Sequence, residues 1–262
     1  MNTVVCIKQV PATSELDWDP KTGALMREGA EGVLNITDKH ALEAALQLKE
    51  QHGGHSTALS MGPPQAEEAL REALSMGIDR AILLSDKAFA GADTLSTAYT
   101  LSLAAKKIGS FDLILCGKES SDGMTAQVGP QVAEFLNLPQ MTCAAEITLQ
   151  DTSVRIRQKI EDGFRILEAP LPAVITVERE INRPRIPTMD TIMEAYRSKE
   201  VTVWSASDLD GDPGLLGLGG SPTQSRAVYT RHVKKGEVTM LDGEPDEVAG
   251  KLIEALRLKA LI

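Results

Sequence analysis

Residues 111–130 hold the residue types and spacing that best suit a chemical role. An apolar run from Leu113 to Cys116 has the pattern of a strand buried on both faces. The chain then breaks at Gly117, passes through small, hydrogen-bonding residues and resumes a helical pattern at Val128. A strand, such a loop and a helix N-terminus together present free backbone N–H groups, which suit an anion such as phosphate. Because no Gly-Lys-Ser/Thr run is present, the pattern indicates a nucleotide-phosphate site other than a Walker P-loop.

Other motifs favour ordinary structural roles. Residues 217–222 are glycine-rich, but no strand precedes them and Pro222 follows, so we interpret them as a linker rather than a dinucleotide fingerprint. Ser120-Ser121 does not lie in a Gly-x-Ser-x-Gly elbow, which gives hydrolase chemistry little support. Four loop carboxylates share no helix face and are interpreted as solvated charges rather than acid–base or magnesium groups: Asp17, Asp19, Glu119 and Asp122. We expect no catalytic side chain and no metal site.

The cysteines and the composition exclude several further classes. Cys6, Cys116 and Cys143 are far apart and lack Cys-x-x-Cys spacing, so we expect reduced thiols and any redox chemistry to come from an organic cofactor. A net charge of −10 without a Lys/Arg cluster argues against nucleic acid. No apolar run approaches the roughly 20 residues that span a bilayer, which argues against membrane insertion. The N-terminus lacks a basic region and a cleavage site, so we expect a cytoplasmic protein.

The order of the predicted elements indicates the fold class. Four strand–helix alternations within residues 1–137 predict an α/β fold, with a doubly wound parallel sheet and helices on both faces. Asp38 and Asp93 are predicted to cap helices in this region. A hairpin excursion is expected around residues 18–26. Short alternating segments within residues 145–169 predict a small antiparallel excursion, and residues 172–177 predict a strand that rejoins the sheet.

The C-terminal part of the sequence predicts an extended arm. From residue 181 the chain is polar and interrupted by prolines, so residues 1–180 are predicted to form the nucleotide-binding domain and residues 181–262 the arm. A short helix is predicted within residues 191–196, a strand at 201–204, and an amphipathic helix over 245–262. The apolar face of that last helix could pack on its own domain or on a partner, and the sequence favours neither.

Several segments follow strands or precede helices and could converge at one edge of the sheet. In open parallel sheets ligands bind beyond the carboxyl ends of the strands, near the point where the strand order reverses. The segments are residues 6–8, 35–38, 61–62, 88–94 and 117–128. Their placement predicts a single nucleotide crevice.

Motifs spread over nearly the whole chain resemble the electron transfer flavoprotein β subunit family. They include Val5-Cys-Ile-Lys-Gln-Val-Pro11, Ala41-Leu-Glu-Ala-Ala-Leu46, Ala73-Leu-Ser-Met-Gly77, Leu171-Pro-Ala-Val-Ile-Thr-Val177 and Arg183-Pro-Arg-Ile-Pro-Thr-Met189. The resemblance implies a heterodimer with an α subunit that holds the redox flavin. It also implies that the β subunit holds either AMP or a second FAD.

Two loops favour FAD by resemblance. Asp122-Gly-Met-Thr-Ala-Gln-Val-Gly-Pro130 and residues 88–97 are similar to the corresponding loops of electron-bifurcating relatives. Met124 departs from them where those relatives often carry Asp, and Ile36 departs where many carry Pro. AMP remains the alternative. The residues implied in cofactor binding are Cys6, Asn35, Ile36, Thr37, Asp38, Met61, Ala92, Asp93, Thr94, Thr97, Gly117, Lys118, Asp122, Gly123, Met124, Thr125, Ala126, Gln127 and Val128.

The resemblance also implies an activity and further partners. With its α subunit, the chain would accept a hydride from NADH on FAD and split the electron pair. One electron would go to ferredoxin or flavodoxin and the other to a flavin-containing dehydrogenase. The residues implied in docking that dehydrogenase are Arg183, Arg185, Met189 and Ile192. Two alternatives stay open: a non-bifurcating β subunit with structural AMP, and a stand-alone nucleotide-binding domain.

Overall fold

A computed structural model describes residues 1–12, 32–223 and 238–262. The hairpin expected around residues 18–26 lies outside these residues. The chain divides into two compact units, Met1–Arg226 and Ala227–Ile262.

The first half of the chain alternates strands and helices. Gly77 and Asn137 adopt left-handed conformations just after the helices Glu67–Met76 and Val128–Leu136, and this conformation ends both helices. The elements are β1 (Asn2–Ile7), β2 (Gln9–Pro11), β3 (Gly32–Leu34), α1 (Ile36–His52), β4 (His55–Met61), α2 (Glu67–Met76), β5 (Arg80–Leu84), α3 (Thr94–Ile108), β6 (Leu113–Gly117) and α4 (Val128–Leu136).

The second half contributes the antiparallel strands and the last strands of the sheet. The elements are β7 (Gln140–Gln150), β8 (Ser153–Ile160), β9 (Gly163–Pro170), β10 (Ala173–Val177), α5 (Met189–Arg197), β11 (Val201–Trp204) and α6 (Pro245–Leu258). β7 is longer than the predicted strand because its first residues pair with β10 before the rest pairs with β8. Cys143, with φ of 56°, lies where this pairing shifts register.

The main sheet has nine strands in the order β11-β5-β4-β1-β6-β10-β7-β8-β9. The strands from β11 to β7 run parallel, whereas β8 and β9 form the antiparallel edge. Strands β1, β6 and β10 are almost continuous runs of buried residues, as expected for strands covered on both faces. One core cluster packs α1 and α2 on one face, and a second packs α3 and α4 on the other. The predicted doubly wound fold is confirmed.

Residues 205–223, which we call the strap, follow β11 and run along α3. Leu209 and Leu216 are buried in the same core cluster as Leu101 and Leu103 of α3. Ser221 is only 6% exposed. The prediction of a linker at residues 217–222 was therefore wrong, because the small residues there permit close packing instead of chain mobility.

The second unit contains α6, which begins at Pro245 and ends at Leu258, four residues before the predicted end. Leu252, Ile253 and Leu258 of this helix are exposed. Within residues 1–12, 32–223 and 238–262, no helix has the length and apolar character that a bilayer crossing requires.

Candidate functional site

The strand order reverses at β1, which lies between β4 and β6. The chain leaves the carboxyl end of β1 at Ile7 and that of β6 at Gly117, so both strand ends open at the same edge. A crevice at such a reversal is where open parallel sheets bind ligands. The loops that follow these two strands are therefore the first candidates for a binding site.

The Asp38 side chain connects the ends of these two strands. It lies inside the first turn of α1, which begins at Ile36, so the prediction that Asp38 caps this helix was wrong. Its buried carboxylate instead accepts the Lys8 N–H at 2.8 Å and also the Gly117 N–H. Burial raises the pKa of Asp38 to about 7, against the opposing effect of hydrogen bonds from Asn35 and the two backbone groups. Two strands are thus tied to one carboxyl group.

Asn35 and Thr37 hold the loop that follows β6. The Asn35 amide donates to the Glu119 carbonyl at 2.9 Å and accepts the Ser121 N–H at 3.1 Å. The Thr37 hydroxyl donates to the same carbonyl at 2.6 Å. Both side chains are buried, so they shape the loop from behind, whereas Ile36 is exposed. Gly117 allows this approach, since a Cβ there would overlap the Asp38 and Thr37 side chains.

Lys8 brings a positive charge to the crevice. Its ammonium group contacts the Asp122 carboxylate at 2.7 and 2.8 Å and Ser120 Oγ at 3.4 Å. This ion pair connects the end of β1 to the loop between β6 and α4. The sequence placed Lys8 at the strand end without giving it a role. Its position could have identified it, because Lys8 is a cation at the carboxyl end of the strand where the order reverses.

Residues 121–127 form an exposed loop with an irregular backbone. Met124 and Ala126 have φ of 48° and 54°, a left-handed conformation that non-glycine residues seldom adopt. The loop leads into α4, whose N-cap residue Gln127 makes no side-chain cap hydrogen bond in the described structure. The N–H groups at the start of α4 therefore lack the partner that a capping side chain would supply, which suits an anion. Gly123, Thr125 and Val128 lie in or beside this loop.

The start of α3 lies against the same loop but is capped. Asp93 Oδ1 accepts the N–H groups of Leu95 and Ser96 at 3.0 and 3.1 Å, which confirms the predicted cap. Desolvation alone would raise the pKa of Asp93, but hydrogen bonds from Ser96, Thr223 and Leu95 hold it below its usual value. The Thr94 hydroxyl donates to Gln127 Oε1 at 2.9 Å, which connects α3 to the α4 loop. Thr97 lies one turn further along α3, and Ala92 immediately precedes Asp93.

The remaining predicted residues contribute packing or local ion pairs. Met61 packs partly buried against the core cluster that contains Cys6 and Cys116. Cys6, Cys116 and Cys143 are all unpaired thiols. A hydrogen bond with Cys6, together with burial, raises the pKa of the Cys116 thiol. Lys118 pairs with Glu178 at 3.0 Å.

Two cavities open at opposite edges of the sheet. One of about 250 Å³ adjoins the crevice and is lined by residues that include Asn35, Thr37 and Met124. A second, of about 310 Å³, lies at the amino ends of the strands and includes His55 and Arg80. The first lies at the carboxyl ends of the strands and is lined by several predicted residues, so we assign the candidate site to that edge.

The predicted docking residues do not behave alike. Arg185 forms ion pairs with Glu43 at 2.8 Å and Glu50 at 2.6 Å, so it fastens its segment to α1. Met189 is 70% exposed and Ile192 is 37% exposed, and Arg183 is also exposed. Ile186, which the sequence reasoning missed, is 90% exposed. The segment thus presents apolar side chains while Arg185 anchors it.

Comparisons with known proteins identify the family of this chain. The model of the electron transfer flavoprotein domain family matches residues 22–209. The electron transfer flavoprotein subunit beta of Clostridium acetobutylicum is 44% identical over 257 residues, which cover 98% of each chain. The caffeyl-CoA reductase-Etf complex subunit CarD of Acetobacterium woodii is 42% identical over all of both chains. Protein FixA of Azorhizobium caulinodans is 42% identical over 97% of this chain and 92% of its own.

These matches first place the chain in a class, the proteins that contain an electron transfer flavoprotein domain. Because the relatives named as beta subunits match from end to end, the chain belongs to the electron transfer flavoprotein β subunit family. Membership implies electron transport and a heterodimer with an α subunit.

Proposed function

We propose that this β subunit binds FAD in the crevice and that, with its α subunit, it bifurcates electrons from NADH. One electron would pass to ferredoxin or flavodoxin and the other to a flavin-containing dehydrogenase. When bound, FAD would supply the hydride acceptance and the one-electron chemistry. The side chains of this chain would bind and orient the cofactor without a catalytic group of their own.

The uncapped start of α4 is the observation that carries the proposal. The N–H groups there have no side-chain cap and follow the irregular, left-handed backbone of residues 121–127, and helix starts of this kind often bind phosphate groups. Lys8 lies beside this loop, where its ammonium group pairs with the Asp122 carboxylate. Asn35, Thr37 and Asp38 hold the loop in place through the contacts described above.

Two features favour FAD over AMP. The contact between Thr94 and Gln127 joins the loops of residues 88–94 and 117–128, so that both can contribute to one binding site. The same two loops are the ones whose sequences resemble bifurcating relatives. One relative is named as a subunit of a caffeyl-CoA reductase-Etf complex, which is consistent with a dehydrogenase partner for this chain. AMP as a structural ligand remains the competing proposal.

The exposed apolar side chains of Ile186, Met189 and Ile192 are proposed to dock the dehydrogenase. Arg185 would act by holding this segment on α1 and not by touching the partner. Arg183 has no such anchoring contact in the described structure and would be free to reach an acidic group on the partner. Residues 238–262, with exposed Leu252 and Leu258 on α6, are proposed to bind the α subunit.

The cofactor content of the purified α/β complex tests the function. Nucleotides released by acid are separated and counted per heterodimer, and the intact complex is mixed with NADH in an anaerobic stopped-flow cell. We expect two FAD, no AMP and rapid flavin reduction. One FAD with one AMP, or no reduction by NADH, would rule out the bifurcating function and leave the AMP-binding alternative.

A matched pair of lysine variants tests the location of the site. Lys8→Met removes the charge beside the α4 loop and should weaken nucleotide binding by about tenfold, as the loss of one charge-assisted hydrogen bond predicts. Lys39→Met is the control, because Lys39 forms a comparable ion pair at 2.6 Å with Glu72 of α2. Equal affinities of the two variants, measured by FAD fluorescence titration, would place the nucleotide elsewhere.

A further inference from the structure

We propose that the strap, residues 205–223, controls nucleotide affinity through Ser221, which acts as a positioning residue for the start of α3. This inference rests on the proposed nucleotide site and deepens it. It assigns a binding role to a segment that contains none of the residues predicted to touch the cofactor.

Asp93 divides its polar groups between α3 and the strap. Oδ1 caps the helix by accepting the N–H groups of Leu95 and Ser96. Oδ2 accepts the Thr223 N–H at 3.0 Å, and the Asp93 N–H donates to Ser221 Oγ at 2.8 Å. One residue therefore holds the helix start and the end of the strap at the same time.

Ser221 is built into the strap and not merely adjacent to Asp93. Its hydroxyl donates to the Gly217 carbonyl at 2.7 Å in a buried bond, so the oxygen that accepts from Asp93 is fixed in direction. Gly217 lies so close to the Ala88 carbonyl that a Cβ would overlap it, and its φ is 54°. The Leu218 N–H donates to the Ala90 carbonyl at 2.9 Å. The strap thus contacts the loop of residues 88–93 through residues that precede Ser221 in the sequence and through Thr223, which follows it.

A second anchor fixes the strap to the first turn of α3. The Ser96 hydroxyl donates to the Leu215 carbonyl at 3.0 Å. Leu216 is buried in the core cluster on the same side of the sheet. These contacts leave the strap little freedom to shift without moving the start of α3.

The start of α3 also contacts the loop of residues 121–127. Thr94 follows Asp93 directly, and its hydroxyl bonds Gln127, the N-cap residue of α4. The path from the strap to the uncapped helix start therefore runs from Ser221 through Asp93 and Thr94 to Gln127. If the nucleotide binds more tightly when these four residues are hydrogen-bonded in this way, then bound nucleotide must favour the bonded strap by the same factor by which the bonded strap favours nucleotide binding.

The matched test uses the full-length chain in its α/β complex, with FAD and AMP as the probes. Ser221→Ala removes the hydroxyl that positions Asp93, whereas Ser205→Ala removes a strap hydroxyl that contacts only Ser207 and Asp208. We expect the dissociation constant of the bound nucleotide to rise about tenfold in Ser221→Ala, as the loss of one positioned hydrogen bond predicts, and to stay within twofold in Ser205→Ala.

Amide hydrogen exchange of the wild-type strap provides a readout that does not depend on any variant. Saturating nucleotide should slow exchange in peptides that cover residues 205–223, and Ser221→Ala should reduce that protection. Unchanged exchange on nucleotide binding, or faster strap exchange in Ser221→Ala with an unchanged dissociation constant, would overturn the coupling. If the wild-type complex binds neither FAD nor AMP, the proposed function fails and the coupling fails with it. If the wild type binds and only the coupling is absent, the proposed function stands.

Discussion

Two helices begin side by side at the carboxyl edge of the sheet and are completed in different ways. The start of α3 receives its hydrogen bonds from its own chain, through the Asp93 carboxylate and the strap. The start of α4 follows an exposed, left-handed loop and has no side-chain cap in the described structure. A helix start that is already satisfied contributes stability, whereas one that is left open can bind an external anion.

The pKa values of the two carboxyl groups that support these helix starts are shifted in opposite directions. Asp38 supports the loop before α4 and has a pKa of about 7, above its unfolded value of 3.8, so the folded chain keeps a proton that the unfolded chain releases. The free energy of unfolding should therefore fall as pH rises from about 4 to 7, by up to about 4 kcal/mol in total, and then level off. The lowered pKa of Asp93 gives the reverse sign, with stability lost only in more acidic solution.

Urea unfolding from pH 4 to 8 measures this effect, with Asp38→Asn as the comparison. The variant cannot ionise, so its stability profile should lack the fall toward neutral pH that the wild type shows. Parallel profiles for the two proteins would contradict the assignment of the slope to Asp38.

The next largest effect is expected from a substitution that crowds the start of α4 against β10. A Cβ at Gly129 would come within 2.5 Å of Thr176 Cγ2 on β10, where Thr176 is buried. Gly129→Ala should therefore destabilise the chain by about 2–3 kcal/mol through overpacking and also weaken nucleotide binding, because α4 must shift. Thermal unfolding and FAD titration measure both.

Gly250 supplies the matched glycine control, since a Cβ there meets no atom within 4 Å in the described structure. Gly250→Ala lies within α6 and should not lower the unfolding temperature, because alanine favours helix formation. An equal loss of stability in both variants would mean that the crowding at Gly129 is not the cause.

A smaller effect separates the capped helix start from the open one. Asp93→Ala should lower stability by about 1–2 kcal/mol, the usual loss for an N-cap, and should also free the end of the strap. Gln127→Ala should change stability by less than about 0.5 kcal/mol, because Gln127 caps nothing. Chemical denaturation of the two variants side by side tests the contrast, and a larger loss in Gln127→Ala would reverse it.

The smallest expected effect concerns the bond that joins the two helix starts. Thr94→Val keeps the side-chain shape but removes the hydroxyl that donates to Gln127, so nucleotide affinity should fall by about threefold to tenfold. Thr94→Ser retains the hydroxyl and should bind like the wild type. Calorimetric titration would distinguish them, and equal weakening would point to lost packing instead.

Much of the fold could be predicted because its signals are local. Apolar runs marked the central strands, Gly77 marked a helix end, and Asp93 marked a helix start. The prediction failed at Asp38, where the side chain serves two strand ends that are distant in sequence. It also failed at residues 217–222, because small residues predict a mobile link and a tightly packed strap equally well.

The site was predictable as a place but not as a set of contacts. Strand ends and loop composition located the edge of the sheet, and family resemblance supplied residue names. The contacts between Lys8 and Asp122, and between Ser221 and Asp93, join residues that are more than 100 positions apart in the sequence. No periodicity or local motif encodes such contacts, so they required the three-dimensional arrangement.

The short ladder between β2 and β3 has a consequence for how the protein can vary among relatives. Gln9 pairs with Leu34 and Pro11 with Gly32, and the Asn35 N–H donates to the Lys8 carbonyl at 3.0 Å. The ladder therefore holds residues 9–11 beside residues 32–34 through backbone hydrogen bonds. Since the entropy of closing a loop grows by only about 0.6 kcal/mol for each doubling of its length, insertions or deletions between these strands should be well tolerated.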